Sequence, residues 1–233
     1  MNKVYTFISP ELLEKDFVLN KIVVVVDILR ATSTIHYALL SGVSKILPQT
    51  DVKQCLKQFN NKTLLVGEKS GKLIKGYQFM NSPFAFAYKE YKGYNMCFCS
   101  TNGTKAILAT DNSNETLIGS FLNIKTLTSY LLKKKKDLII LCSGWKGNMS
   151  YEDFLFSGQL IHNLKSNYII SGDSSIFAHN MFLNLTEKPI NHLKKLALLG
   201  VLSGVNEKED IVLALKEDVG DILPFYKDGV ISL

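Results

Sequence analysis

Arginine is nearly missing from this chain: of 27 basic residues, every one but Arg30 is lysine. Lysine therefore carries the net charge of +6 and the pI near 9.0. Four of those charges form one run at 133–136, at the end of an expected helix, where cations suit the helix dipole. No run of basic residues is interleaved with aromatics, so a nucleic-acid partner is not expected. Cysteine is scarce as well. Cys55, Cys97, Cys99 and Cys142 are too few for a disulfide framework in a chain of 233 residues, and buried reduced thiols are expected. Cys97 and Cys99 lack the spacing of a C-x-x-C pair, and strand alternation places both sulfurs on one face. Apolar runs such as Ile22–Val26 are far shorter than the roughly 20 residues that cross a bilayer, so no membrane segment is expected. The first residues show no signal-peptide core, which predicts a cytoplasmic protein. No linker, repeat or low-complexity tract interrupts the chain. What is present is 46% hydrophobic residues and a mean hydropathy of +0.09. That composition excludes disorder and suits one domain over 1–233, with a subdivision near 165–175 as the alternative.

The dominant pattern is a strand, a polar loop and a helix, repeated. Ile22–Val26 is a continuous β-branched run, the mark of a strand buried on both faces. Further strands are expected over 44–48, 63–66, 95–100, 116–119 and 137–143. Helices are expected over 32–40, 52–59 (with Asp51 as its N-cap), 105–109, 124–136 and 152–164. Beyond 170 the pattern becomes helical, over 176–185, 190–199 and 208–217, with a last short strand near 222. This alternation predicts an α/β fold, a three-layer α/β/α arrangement with a mainly parallel or mixed sheet.

In such sheets ligands bind beyond the carboxyl ends of the strands. Those ends carry Asp27 and Arg30, Gly67 and Glu68, Thr101-Asn102-Gly103-Thr104, Ser120 and Asn123, and Ser143-Gly144 with Gly147. Each loop alone is compatible with an ordinary turn. Five in register point to an anionic ligand held by amides, hydroxyls and helix N-termini. Arg30 can clamp a phosphate or sulfonate through two parallel N–H bonds, or it can pair with a nearby carboxylate. Asp27, Glu68, Glu152 and Asp153 are carboxylates of the kind that hold Mg²⁺. Glu152 reads first as a helix cap behind Ser150, while Asp153 is open between capping the same helix and acting as a ligand or base. Several motifs fail. Residues 67–73 have three residues where a P-loop has four between its glycines, and Cys142 lacks the arginine of a cysteine phosphatase. Asp27-Ile-Leu lacks a second aspartate. His36, His162, His179 and His192 have no ligand spacing, and Trp145 suits either a site loop or simple packing.

Together these loops resemble the 2-phosphosulfolactate phosphatase family of coenzyme M biosynthesis. The resemblance runs through residues 26–34 (Val-Asp-Ile-Leu-Arg-Ala-Thr-Ser-Thr), Gly67-Glu68, Gly76 with Asn81-Ser82-Pro83, and residues 101–104. It continues through Gly119-Ser-Phe-Leu-Asn123 and through Gly144, Gly147, Ser150, Glu152 and Asp153. It implies an Mg²⁺-dependent phosphatase yielding sulfolactate and phosphate from a small anionic ester. Assembly as a homo-oligomer is among its implications. Asp27, Glu68 and Asp153 then become candidates for holding Mg²⁺ and activating water, with Asp27 a nucleophile in the alternative. Arg30, Asn81, Ser82, Thr101, Asn102, Gly103, Thr104, Ser120, Asn123, Ser143, Gly144 and Gly147 become candidates for binding phosphate and sulfonate. The chain departs from the family at Lys69, usually arginine, and at Gln78, usually aspartate. Residues 173–192 look shortened and 201–206 inserted. Another phosphoacid as substrate, or a non-catalytic anion-binding protein, are the alternatives those departures raise.

Overall fold

The computed structural model describes residues 1–57, 60–202 and 207–233. The chain enters with strand β1 (Asn2–Phe7), then β2 (Ile22–Val26), helix α1 (Ala31–Leu40), β3 (Lys45–Pro48) and α2 (Val52–Lys57). A hairpin of β4 (Thr63–Lys69) and β5 (Lys72–Leu73) precedes the short α3 (Phe84–Ala87), β6 (Asn95–Cys99) and α4 (Gly103–Leu108). Then come β7 (Glu115–Gly119), α5 (Ile124–Leu131), β8 (Leu138–Cys142), α6 (Tyr151–Leu164) and β9 (Tyr168–Ile170). Helices α7 (Asp173–Leu183), α8 (Pro189–Leu198) and α9 (Lys208–Ala214) lead to a closing hairpin, β10 (Phe225–Lys227) and β11 (Val230–Ser232).

Among the described residues eleven strands join one mixed sheet, in the order β5-β4-β6-β3-β11-β10-β7-β2-β8-β1-β9. Two parallel blocks, β4-β6-β3 and β7-β2-β8-β1-β9, are spliced by the antiparallel β10–β11 hairpin. The α/β class is therefore as the sequence implies. The alternation within β2 shows why it reads as wholly apolar. Ile22, Val24 and Val26 enter one core with α5, α6 and α8, whereas Val23 and Val25 enter a second core with α1, α4 and α9. Every residue of β2 is fully buried, so each valine contributes roughly 1.5–3 kcal/mol of apolar burial.

Several boundaries differ from expectation. The helix over 124–136 stops at Leu131, because the lysine run supplies no residue to extend the buried stripe of Ile124, Leu127 and Leu131. Instead Lys134 lies 4.3 Å from the Tyr130 ring centroid and 3.4 Å from Glu115, and Lys136 donates to Asn114 at 2.6 Å. Helix α9 ends at Ala214 rather than 217, and α4 starts earlier, at Gly103. The single strand near 222 is replaced by the hairpin at 225–232. Asp51 does cap α2, accepting from the Lys53 N–H at 2.9 Å; residues 58–59 of that expected helix, and 203–206 of the expected insertion, lie outside the described residues. The cysteines need correction too. Cys55 and Cys97 form a disulfide between α2 and β6, while Cys99 and Cys142 are free and buried. Cys97 and Cys99 do share one face, in a small core with Leu65, Ile74 and Tyr77.

Helix α6 packs on α7 at Gly158, where an added Cβ would lie 2.1 Å from the Ala178 carbonyl oxygen. In an open helix, glycine to alanine stabilises by about 1 kcal/mol. Here the sign should reverse: Gly158→Ala should cost about 1–3 kcal/mol by overpacking, read as a lower urea midpoint.

Candidate active site

The carboxyl ends of β2, β6 and β8, the second half of β4 and the start of α6 converge on one cleft of about 520 Å³, counting its open mouth. Asp27, Arg30, Glu68, Asn81, Asn102, Gly144 and Asp153, each anticipated from sequence, line it. Leu29, Gly71, Ser100, Trp145, Ser150 and Glu152 line it as well. Glu152, which reads from sequence first as a cap, is thus a fourth carboxylate in the cleft. Its position beside Asp153 in the first turn of α6 is the signal for both roles, since acidic residues suit a helix N-terminus in either case.

Each carboxylate is held differently. Asp27 follows β2 and accepts the Ala31 N–H at 3.1 Å, while Thr32 Oγ1 donates to its backbone carbonyl at 2.8 Å. Burial raises its pKa to about 7; the charges of Glu152 and Glu68 push the same way, against the Ala31 N–H and Arg30. Asp153 accepts the Ile28 N–H at 2.8 Å, and burial, followed by repulsion from Glu152 and Asp27, holds its pKa well above the ordinary carboxylate range. Burial raises the Glu152 pKa too. Glu68 lies inside β4, not beyond its end as expected. Both its oxygens are engaged: Oε1 accepts the Thr101 N–H at 2.6 Å, and Oε2 accepts Thr101 Oγ1 at 2.9 Å and the Gly71 N–H at 2.8 Å.

Arg30 is only 5% exposed, and its Nη1 donates to Asp210 and, at 3.0 Å, to Glu207. Of the two readings open from sequence, the structure shows the carboxylate pair. Asp210, 1% exposed, also accepts Ser82 Oγ at 2.6 Å and the Phe84 N–H at 3.2 Å. It is a residue that strand-end reasoning misses. A lone buried arginine needs an anionic partner, but nothing in local spacing names one 180 positions away.

Other anticipated residues serve the scaffold. Thr101 is spent on Glu68 and on the Ser70 N–H, and Thr104 bonds Ser100 through both its amide and its hydroxyl. Ser82 is held by Asp210. Asn123 accepts the Ser120 N–H at 3.0 Å and donates to the Ile118 carbonyl at 3.1 Å, outside the cleft lining, and the buried Ser120 hydroxyl has no hydrogen-bond partner among the described residues. Ser143 is buried beneath Gly144, with no hydrogen-bond partner for its hydroxyl among the described residues. Gly147 lies in open space at φ +77. Gly103 does not touch the cleft but shapes it: a Cβ there would lie 2.6 Å from Asp27 Oδ2 and 2.4 Å from the Ala31 Cβ. Gly103→Ala should therefore displace Asp27 while the melting temperature falls by only a few degrees, and any turnover that depends on Asp27 should drop about tenfold or more, since a displacement of ~1 Å costs rate steeply.

The donor set suits a hard divalent cation. Among the described residues none of the four cleft carboxylates forms an ion pair, and mutual repulsion contributes to the raised pKa of Asp27 and of Asp153. Asn81 adds a buried Oδ1 without a partner among those residues. No three His, Cys, Asp or Glu among the described residues form a ready-made metal cage. Mg²⁺ does not require one, because it is commonly bound by one or two carboxylates, waters and substrate phosphate.

A family model for 2-phosphosulpholactate phosphatase matches residues 7–229. The chain belongs to that family. A probable 2-phosphosulfolactate phosphatase of Caldanaerobacter subterraneus subsp. tengcongensis is 33% identical over 222 residues, covering 91% of this chain and 90% of that protein. Proteins given the same name in Clostridium novyi (33% identity, 96% and 97% coverage) and Thermotoga petrophila (32%, 90% and 91%) are also similar. Within the 2-phosphosulpholactate phosphatase family the departure at Gln78 turns out to lie off the cleft. Gln78 Oε1 accepts the Leu65 N–H at 2.8 Å and so braces β4.

Proposed function

We propose that this chain is an Mg²⁺-dependent phosphatase that hydrolyses 2-phosphosulfolactate to sulfolactate and phosphate, a reading supported by the name of its family, with coenzyme M formation as the proposed context. The observation that carries the metal requirement is charge. Four carboxylates surround a cleft whose one cation among the described residues, Arg30, is already held by Asp210 and Glu207. A phosphorylated acid would be repelled from such a cleft without an added positive charge. Asp27 and Asp153 are the proposed ligands, with Glu152 beside them; Glu68 is less suited because three hydrogen bonds already occupy its oxygens. Bound there, Mg²⁺ supplies charge neutralisation for the phosphoryl oxygens.

The chain's own residues would do the rest. Gly103 leaves Asp27 Oδ2 room at the cleft wall. Burial pushes the Asp27 pKa up to about 7, and a bound cation would oppose that rise and keep the carboxylate ionised as a ligand. Asn81 offers a buried oxygen to a bound water or hydroxyl, and Glu68 fixes the Thr101–Asn102 and Gly71 walls against each other. Phosphate release from 2-phosphosulfolactate, followed colorimetrically with Mg²⁺ and again with EDTA, is the direct test. Release that needs Mg²⁺ is expected; no release from this ester in the presence of Mg²⁺ would sink the reading.

A further inference from the structure

The proposed substrate carries a sulfonate and a carboxylate besides its phosphate, and among the described residues the cleft interior offers them no free cation. No lysine is among its described lining residues. Any further side-chain cation for the second anion therefore has to stand outside the described lining, at the rim. Two tight turns stand there. Ser70-Gly71 joins β4 to β5 with φ of +52° and +77°, and Lys146-Gly147 follows Trp145 with φ of +51° and +77°. Positive φ at both central residues is the type I′ pattern, a well-defined two-residue turn.

The second turn is mounted firmly. Trp145 and Asn148 exchange both backbone hydrogen bonds, at 2.8 and 3.0 Å. Beneath them Gly144 is packed so closely that a Cβ would lie 2.5 Å from the Asn148 oxygen and 2.8 Å from the Ile8 oxygen. Trp145 faces the cleft, and the exposed Lys146 at the turn tip has its Nζ 5.6 Å from the Trp145 ring centroid. An ammonium is thus carried beside the cleft wall, on a turn whose base is fixed. Lys69 and Lys72 lie on the strands flanking the other turn, paired with one another, and neither stacks on a cleft-lining ring among the described residues.

We propose that Lys146 is a specificity-determining residue that receives the sulfonate of the substrate at the rim of the cleft. The identity of that ligand rests on the phosphatase reading above, so the test needs an arm independent of turnover. Trp145 is the one tryptophan of the chain, and its fluorescence reports binding directly. Titration with sulfolactate and with lactate, at fixed Mg²⁺, should show wild type preferring sulfolactate. Lys146→Gln should weaken sulfolactate binding about five- to tenfold with a much smaller effect on lactate, and Lys146→Arg should restore most of it, as expected for one charge-assisted contact near solvent. In kinetics, the ratio of kcat/KM for 2-phosphosulfolactate over 2-phospholactate should fall by a similar factor in Lys146→Gln, through KM. Equal weakening of both ligands, or no change in either the sulfolactate affinity or the ratio, overturns the proposal. If wild type releases no phosphate from either ester yet its sulfolactate affinity still depends on Lys146, the proposed reaction fails and the sulfonate contact stands.

Discussion

Replacing Arg30 with alanine is expected to lower the unfolding temperature by roughly 10 °C. The reason lies in what is left behind. Asp210 is 1% exposed, and its charge is met by Arg30, Ser82 Oγ and the Phe84 N–H. Removing one partner of a buried ion pair strands the other, at a cost of about 3–5 kcal/mol. The other partner, Glu207, lies near the surface at 52% exposure, so losing its contact should matter little. Arg30→Lys should fall between, because an ammonium keeps the charge but not the reach and orientation of the guanidinium whose Nη1 meets both carboxylates. Thermal unfolding of Arg30→Ala, Asp210→Ala and the double variant makes the cycle. The double variant should be clearly more stable than the sum of the two losses predicts. A drop of less than about 2 °C in Arg30→Ala would mean the pair is not structural.

Only one half of this ion pair is legible in the sequence. The lone arginine stands out by type, and its place four residues after β2 brings it to the cleft. Its partner does not stand out, because Asp210 sits on a late helix that only the folded chain brings back to β2. The same contrast runs through the fold. Strand β2 is legible because burial on both faces makes it uniformly β-branched. Strand β1 shows a weaker alternation, with only Val4 and Thr6 fully inward, and a lysine at position 3; it escapes a reading based on apolar runs. The closing hairpin does carry a local signal. Asp228-Gly229, at φ +51° and +79°, is a two-residue turn between short apolar stretches, and it marks strands at 225–232 more clearly than the apolar residues near 222 mark one there.

The site follows a similar logic. Strand ends of both parallel blocks mark the cleft: Asp27 follows β2, Gly144 follows β8 and Asn102 follows β6, whereas Glu68 reaches it from within β4. Hydroxyl and amide residues in the same loops cannot be sorted that way. Whether Thr101 faces a ligand or a neighbouring carboxylate depends on where Glu68 lies in three dimensions, and here Glu68 claims it twice. Asn123 is spent locally, accepting the Ser120 N–H and donating to the Ile118 carbonyl, and neither residue lines the cleft although β7 lies directly beside β2. The disulfide is invisible for the same reason: 42 residues separate Cys55 from Cys97.

Asp27→Asn should abolish turnover, by a factor of about a thousand or more, and yet make the metal-free protein more stable. The sign follows from linkage. The pKa of Asp27 is raised from 3.8 to about 7 in the folded chain, so between those values the native state binds more protons than the unfolded state. Stability must then fall as pH rises through that window, and above it the full cost of the buried charge is felt. Asparagine can still accept the Ala31 N–H through Oδ1 but carries no charge, so the cost is absent. Below pH 4 the two proteins should melt together; at pH 8 the variant should melt several degrees higher, since about 1 kcal/mol corresponds to ~2–4 °C at this chain length. Adding Mg²⁺ should reverse the order. An ion that binds the native carboxylates stabilises wild type by RT ln(1 + [L]/Kd), about 2.7 kcal/mol at a hundredfold excess over Kd, and should do little for a variant lacking one ligand. Melting curves at pH 4, 6 and 8, each with Mg²⁺ and with EDTA, separate the possibilities. A variant that is less stable than wild type at pH 8 in EDTA would show that Asp27 is held for the fold; the expected crossing on addition of Mg²⁺ would show that it is held, at a cost in stability, for the ion.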